Sequence, residues 1–144
     1  MTWTPPFLTA AKKMEAAKRL MKLSGVGAIT ATAIVATAGN AKTFKNGRQF
    51  AAWLGLVPRQ NSSGGKSRLG WISKRGDRYL RCLLIHGARA ALRVAGAGKD
   101  KKSRWADAVK GRRGFNVSVA ALAAKNARMI WVMLAKGEAY RMAV

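Results

Sequence analysis

A mainly α domain is what this sequence predicts, and three observations predict it. Apolar residues recur at helical spacing in several stretches, glycine, asparagine or aspartate punctuates their ends, and one long segment, 55–76, lacks such a period. The expected architecture is a compact helical domain with a helix-hairpin-helix-like unit at its start. A long Gly/Ser basic loop, which admits a short β-hairpin, lies between core helices. With 144 residues, 49% of them hydrophobic, the chain has room for one domain and a modest core.

Taken in order, residues 1–9 hold Pro5 and Pro6 without periodicity and are expected as an extended tail. Across residues 10–23, Met14, Ala17, Leu20 and Met21 repeat at helical spacing against Lys12, Lys13, Lys18, Arg19 and Lys22. This is a basic amphipathic helix. It stops at Ser24-Gly25-Val26-Gly27, and an apolar second helix runs from Ala28 to the cap signal Gly39-Asn40. The run Leu23-Ser24-Gly25-Val26-Gly27 between two helices looks like a helix-hairpin-helix motif spanning 10–40, whose turn amides, shaped by Gly25 and Gly27, would meet a backbone phosphate. The plainer reading is an αα-hairpin that needs glycine for geometry alone.

A third helix is expected over 45–57, with Phe44, Phe50, Ala51, Trp53, Leu54 and Leu56 supplying core. Beyond the 55–76 loop, Asp77 can cap a helix reaching Val94. Leu80, Leu83, Leu84, Ala88 and Ala91 gather on one side of it, Arg78, Arg81, Arg89 and Arg93 on the other, and His86 at the border. Residues 96–102 read as a basic linker, 103–109 as a short helix with Trp105, and Gly111-Arg112-Arg113-Gly114 as a basic turn. Asn116 would then cap a long helix over 117–136, ended by Gly137 and apolar nearly all round, with Lys125, Arg128 and Lys136 on its one polar edge. The helical remainder of the domain thus covers 77–140.

Charge narrows the function. The chain carries 28 Lys and Arg against five acids, a formal charge of +23, so its expected partner is a polyanion, with nucleic acid ahead of an anionic membrane. No run reaches the roughly 18 apolar residues of a membrane span, and the start lacks the order of a signal peptide, so a cytoplasmic place is expected. One cysteine, Cys82, and one histidine, His86, cannot build a Cys or His metal site, and the five acids are too scattered for a two-metal site.

The 55–76 stretch, GLVPRQNSSGGKSRLGWISKRG, places Ser62 and Ser63 before two glycines and surrounds them with Arg59, Lys66, Arg68, Lys74 and Arg75. Serine is a poor nucleophile unless a base, a metal or dense positive charge assists it, and those cations would supply the last by neutralising growing phosphoryl charge. Arg78 and Arg81 would extend the phosphate contact into the next helix. The bland alternative is a solvated basic loop with a serine-glycine turn.

GLVPRQNSSGGK with ISKRGDRYLR, and NVSVAALAAKNARMIWVMLAKGEAY farther on, resemble the C-terminal transposase domain of the bridge-RNA-guided bacterial insertion-sequence transposases, and the resemblance covers about 10–140. It implies a domain over 10–144 in which the serine directly before glycine, Ser63, with Ser62 as fallback, becomes linked to DNA. It also implies that magnesium enters only with a RuvC-like DEDD domain, absent from these residues and supplied in trans, and that DNA, a guide RNA and a homo-oligomer complete the complex. No cofactor is expected on this chain itself. The alternatives are a non-catalytic DNA- or RNA-binding module or a remnant of an inactivated transposase, and a structural fragment whose apolar helix needs a partner.

Overall fold

The computed structural model describes residues 15–38, 41–63, 66–72, 76–93 and 100–137. The expected 1–9 tail, the start of the first helix, the Gly39-Asn40 cap and most of the 96–102 linker lie outside them. The described elements are α1 (Glu15–Leu20), α2 (Ala28–Ala38), a 3-10 turn (Ala41–Thr43), α3 (Gly47–Trp53), β1 (Pro58–Ser63), β2 (Lys66–Ile72), α4 (Arg78–Arg93), α5 (Lys101–Arg113) and α6 (Phe115–Lys136). The fold is mainly helical, with one two-stranded antiparallel sheet.

The apolar helix α6 is the axis on which α1, α3, α4 and α5 pack. Its Ala120, Ala123 and Ala127 are small and buried, so neighbours come close, while Val119, Leu122, Ile130 and Met133 fill between them. A Cβ built on Gly47, at the start of α3, would stand 3.1 Å from the Arg128 backbone of α6. By length and composition α6 could cross a membrane, but half of its apolar window is buried inside this bundle. Around it Leu20, Leu23, Ile34, Phe50, Leu54, Leu80, Leu84 and Leu92 complete the core. Phe44, Phe50 and Trp53 form an aromatic knot with centroids 5.2 to 5.8 Å apart, and Trp131 Nε1 donates to the Ala41 carbonyl at 2.9 Å.

Local chemistry sets most ends. Asn46 caps α3, its Oδ1 accepting from the Gln49 amide at 2.9 Å, so that helix starts later than the sequence pattern predicts. Three expectations in the C-terminal half are corrected. Residues 101 and 102 belong to α5 and not to a linker, because Asp100 is its cap and accepts from the Ser103 amide at 3.1 Å and the Ser103 hydroxyl at 2.7 Å. The Gly111–Arg113 run stays helical, and Gly114 alone, at φ 90°, makes the corner into α6. That helix starts at Phe115, so Asn116 lies inside it and caps nothing.

Candidate functional site

The 55–76 segment folds largely as a β-hairpin. Ser63 pairs with Lys66, Ser62 with Ser67, Asn61 with Arg68 and Gln60 with Leu69, leaving only Gly64 and Gly65 as the connection, the length that favours glycine. Farther down, Gly70 and Trp71 of β2 stand opposite the single residue Arg59 before Pro58 meets Ile72, a bulge that interrupts the register. The strand sequence PRQNSS has neither alternation nor β-branched residues, which is why sequence reasoning could only admit a hairpin.

The core holds the hairpin at its base. Leu56 and Ile72, at its two ends, are buried. Gly76, at φ 95°, passes so close to α3 that a Cβ there would lie 1.8 Å from the Trp53 carbonyl oxygen, so only glycine fits. Next, Asp77 Oδ1 accepts from the Leu80 amide at 2.9 Å and starts α4. One turn on, the Arg81 guanidinium donates to the Leu54 carbonyl at 3.3 Å, satisfying an acceptor that the end of α3 leaves over. Both strands are therefore fixed to the last turn of α3, and Ser63 is carried to the far end of the ladder beside Lys66.

Arg81 was expected on the exposed face and is buried, with 8% of its surface accessible. It shares the stripe of Leu84, Ala88 and Leu92, at spacings of three, seven and eleven residues, and that stripe faces α6 and the end of α3. Arg78 and Arg93 are exposed, as is His86, which the pattern put at the border. Next to Arg78 in the first turn of α4 stands an aromatic that sequence reasoning passed over: Tyr79 is 59% exposed, with Cys82 exposed one turn on. Its helical position, seven residues before His86 and fourteen before Arg93, was the available signal. Lys74 and Arg75 lie outside the described residues, while the strand backbone places Arg59, Lys66 and Arg68 along the ladder.

The 23–27 turn sits elsewhere and is occupied by the fold itself. Gly25, at φ 96°, lies against α4 at Gly87, where a Cβ would come within 1.9 Å of the Gly25 carbonyl oxygen. Asn126 of α6, wholly buried, donates from Nδ2 to the Ser24 carbonyl at 3.0 Å. Lys102 of α5 donates to Asn126 Oδ1 at 2.9 Å and to the Ser24 carbonyl at 3.4 Å. Burial pushes the Lys102 ammonium down from 10.5 to about 8, with Asp100 opposing and Lys125 adding to the fall. Gly27, in contrast, is exposed with open space where a side chain would be. Sequence reasoning missed this clasp because Lys102 and Asn126 sit far from the turn in sequence and read as ordinary polar residues.

Among the described residues no three His, Cys, Asp or Glu side chains come together.

Residues 17–104 match the Transposase IS116/IS110/IS902 family. The chain is 56% identical over 124 residues to a probable family 20 transposase of Pseudomonas aeruginosa, covering 86% of this chain and 37% of the relative. It is 50% identical over 131 residues to the transposase for insertion sequence element IS1111A of Coxiella burnetii, covering 91% and 36% respectively. Against the transposase for insertion sequence element IS1328 of Yersinia enterocolitica it is 40% identical over 126 residues, covering 88% and 38%. The chain thus spans little more than a third of these relatives' length. The matched region holds the hairpin, its anchors in α3 and α4 and the clasped turn, and on that match the chain belongs to the IS116/IS110/IS902 transposase family.

Proposed function

We propose that this chain is the DNA-binding, serine-bearing part of an insertion-sequence transposase and that Ser63 is its nucleophile. The observation that carries the reading is the hairpin, which pairs Ser63 with Lys66 next to the Gly64-Gly65 connection and is fixed at its base to α3. The charge of +23 supports a polyanionic substrate, and the relatives are named transposases.

In the reaction proposed, the Ser63 hydroxyl oxygen attacks the phosphorus of a DNA phosphodiester and gives its proton to a general base. The bond from phosphorus to one strand end breaks, and that oxygen takes up the proton and leaves as a hydroxyl. One phosphodiester replaces another, so a hydroxyl from a second strand end can reverse the step and rejoin DNA. Lys66, paired with Ser63, would offset charge on the oxygens of the attacked phosphate, while Arg68 and Arg59 farther down the strands, with Lys74 and Arg75, which follow β2 in sequence, and Arg78 at the start of α4, would hold phosphates farther along the DNA. Arg81 belongs to the support of that group and not to its surface. Magnesium, when present, would stabilise phosphoryl charge; its ligands would come from a RuvC-like acidic domain in trans, and no step here runs through it. A guide RNA and a homo-oligomer complete the proposed assembly.

The test is a denaturing gel that detects a covalent protein to DNA adduct, with labelled element-end DNA, guide RNA, magnesium and a separately supplied RuvC-like domain. Wild type and Ser62→Ala should form the adduct and Ser63→Ala should not. An undiminished adduct in Ser63→Ala would remove Ser63 from the role. No adduct in any of them, with a full-length transposase working in parallel, would leave a binding module that performs no chemistry.

A further inference from the structure

We propose that the exposed face of α5 is a second DNA-binding surface, one that grips duplex backbone apart from the serine hairpin. The proposal rests on DNA as the substrate class, as argued above. Of the thirteen residues of α5, six are basic: Lys101, Lys102, Arg104, Lys110, Arg112 and Arg113. Only Lys102 turns inward, to the clasp; the other five are exposed, and Asp107 is the one acid in the helix.

Folding does not account for this charge. Cations at a helix C-terminus suit the dipole, which explains Lys110, Arg112 and Arg113. Lys101 and Arg104 stand at the opposite, positive end, in a first turn with no acidic residue, and there they cost stability. Asp100, just before them, has both carboxylate oxygens on Ser103, bonds that hold its carboxyl below the usual range. Among the described residues no carboxylate pairs with Lys101, Arg104, Arg112 or Arg113. A locally unfavourable arrangement that packing does not need is where an external partner is expected.

The face also says what kind of partner. Lys101, Arg104 and Arg112 fall on one stripe, at spacings of three and eleven residues, with Ala108 between them. Trp105 is half-buried under the Lys125 ammonium, 4.5 Å from its ring centre, so the stripe presents no free aromatic for an unpaired base and no bulky apolar group for a bilayer. Long cationic side chains alone engage phosphates without reading bases. From Lys101 to Arg112 the helix rises ~16 Å, enough to follow several phosphates along one groove edge of a duplex. α5 packs chiefly on α6, whereas the hairpin is held by α3 and α4. Strand exchange brings two duplex segments together, and a second backbone grip on the same domain would hold one while the hairpin side engages the other.

The test measures affinity for a DNA duplex of about 20 base pairs across a salt series, using the whole chain. Lys101→Gln, Arg104→Gln, Arg112→Gln and Arg113→Gln are combined in one variant. A control variant removes the same charge elsewhere through Lys18→Gln, Lys22→Gln, Lys45→Gln and Arg48→Gln, all at exposed positions. The α5 variant should lose roughly 3 from the slope of log affinity on log salt and about tenfold or more in affinity at physiological salt, clearly more than the control. Equal losses in both variants, or no loss in the α5 variant, would overturn the proposal, as would a loss confined to duplex RNA run alongside. The Ser63 adduct, assayed at saturating element-end DNA, should persist in the α5 variant. Its presence or absence in wild type tests the hairpin reading separately, so the two can fail independently.

Discussion

The turn at 23–27 and the β1–β2 hairpin both break a helical chain with glycines among basic residues, yet the fold treats them in opposite ways. At the turn, the glycine backbone is pressed against another backbone: Gly25 meets Gly87, and Asn126 with Lys102 closes over the Ser24 carbonyl. At the hairpin a close approach is made by Gly76 at the base, and Gly64 and Gly65 connect the strands after the last pair, Ser63 with Lys66. Glycine permits close approach in general, and what approaches can be the protein's own chain or a ligand. The contacts make the inner turn part of the packing, while the hairpin end is where the proposed chemistry would lie, and substitutions should separate the two.

The largest effect is expected at Gly87→Ala. Its Cβ would meet the Gly25 carbonyl oxygen at 1.9 Å, and neither backbone can yield cheaply. A loss of about 3 kcal/mol or more should appear in urea denaturation. A change under about 1 kcal/mol would mean that the turn and α4 are not in contact as described, and the contrast with the hairpin would collapse.

Asn126→Ala comes next. It removes one acceptor of the Lys102 ammonium and a donor to Ser24, leaving a buried cation less well satisfied, so about 2 to 3 kcal/mol should be lost. Lys102→Met in the same background should recover part of it, since the buried charge that lost one of its acceptors is then gone.

The pH dependence of the same clasp sharpens the comparison. Lys102 is held at about 8 in the folded chain against 10.5 when free, so between these values the unfolded state binds more protons and stability rises with pH. From pH 7.5 to 9.5 the gain of wild type over Lys102→Met should be about 2 kcal/mol, fully developed only above the free value. A gain that runs the other way, or none, would show that Lys102 keeps its charge without cost.

The smallest effect on stability is expected at the hairpin end. Ser63→Ala should shift the urea midpoint by no more than corresponds to about 0.5 kcal/mol while abolishing the adduct. Arg81→Met, at the base, should fall between the regions, losing about 1 to 2 kcal/mol because the Leu54 carbonyl loses its donor. Global unfolding by Ser63→Ala would place that serine in the core economy of the fold and erase the division drawn here.

Much of this was legible in the residues. Periodicity marked α1 and α4, because burying one face of a helix imposes its period on the sequence, and Leu20, Leu80 and Leu84 are buried as their spacing requires, whereas α5 was expected only as a short helix over 103–109. The charge pointed to a polyanion, whereas the residues alone left Ser62 and Ser63 in a basic loop, and only the resemblance to the transposase motif put Ser63 ahead as the proposed nucleophile. What stayed hidden had no local signal. The strand β1 is PRQNSS, without a large apolar residue, and the apolar residues of β2 cluster at its end as Leu69, Trp71 and Ile72, so no alternation ran through the pair to announce it. Arg81 reads as a surface cation by type, and only its stripe with Leu84, Ala88 and Leu92, together with a spare carbonyl on α3, makes it a buried support.

The sequence by itself determined the mainly helical class and the cationic character, since periodicity and charge are properties of neighbouring residues, and the choice of Ser63 as proposed nucleophile came from the resemblance of a short motif. Only the tertiary structure decided which glycines serve packing, which arginine is buried, and that Lys102 and Asn126 reach across the chain to Ser24. Those outcomes depend on which backbones and side chains meet after folding, and residues 24, 87, 102 and 126 come together only when α6 brings their elements around itself.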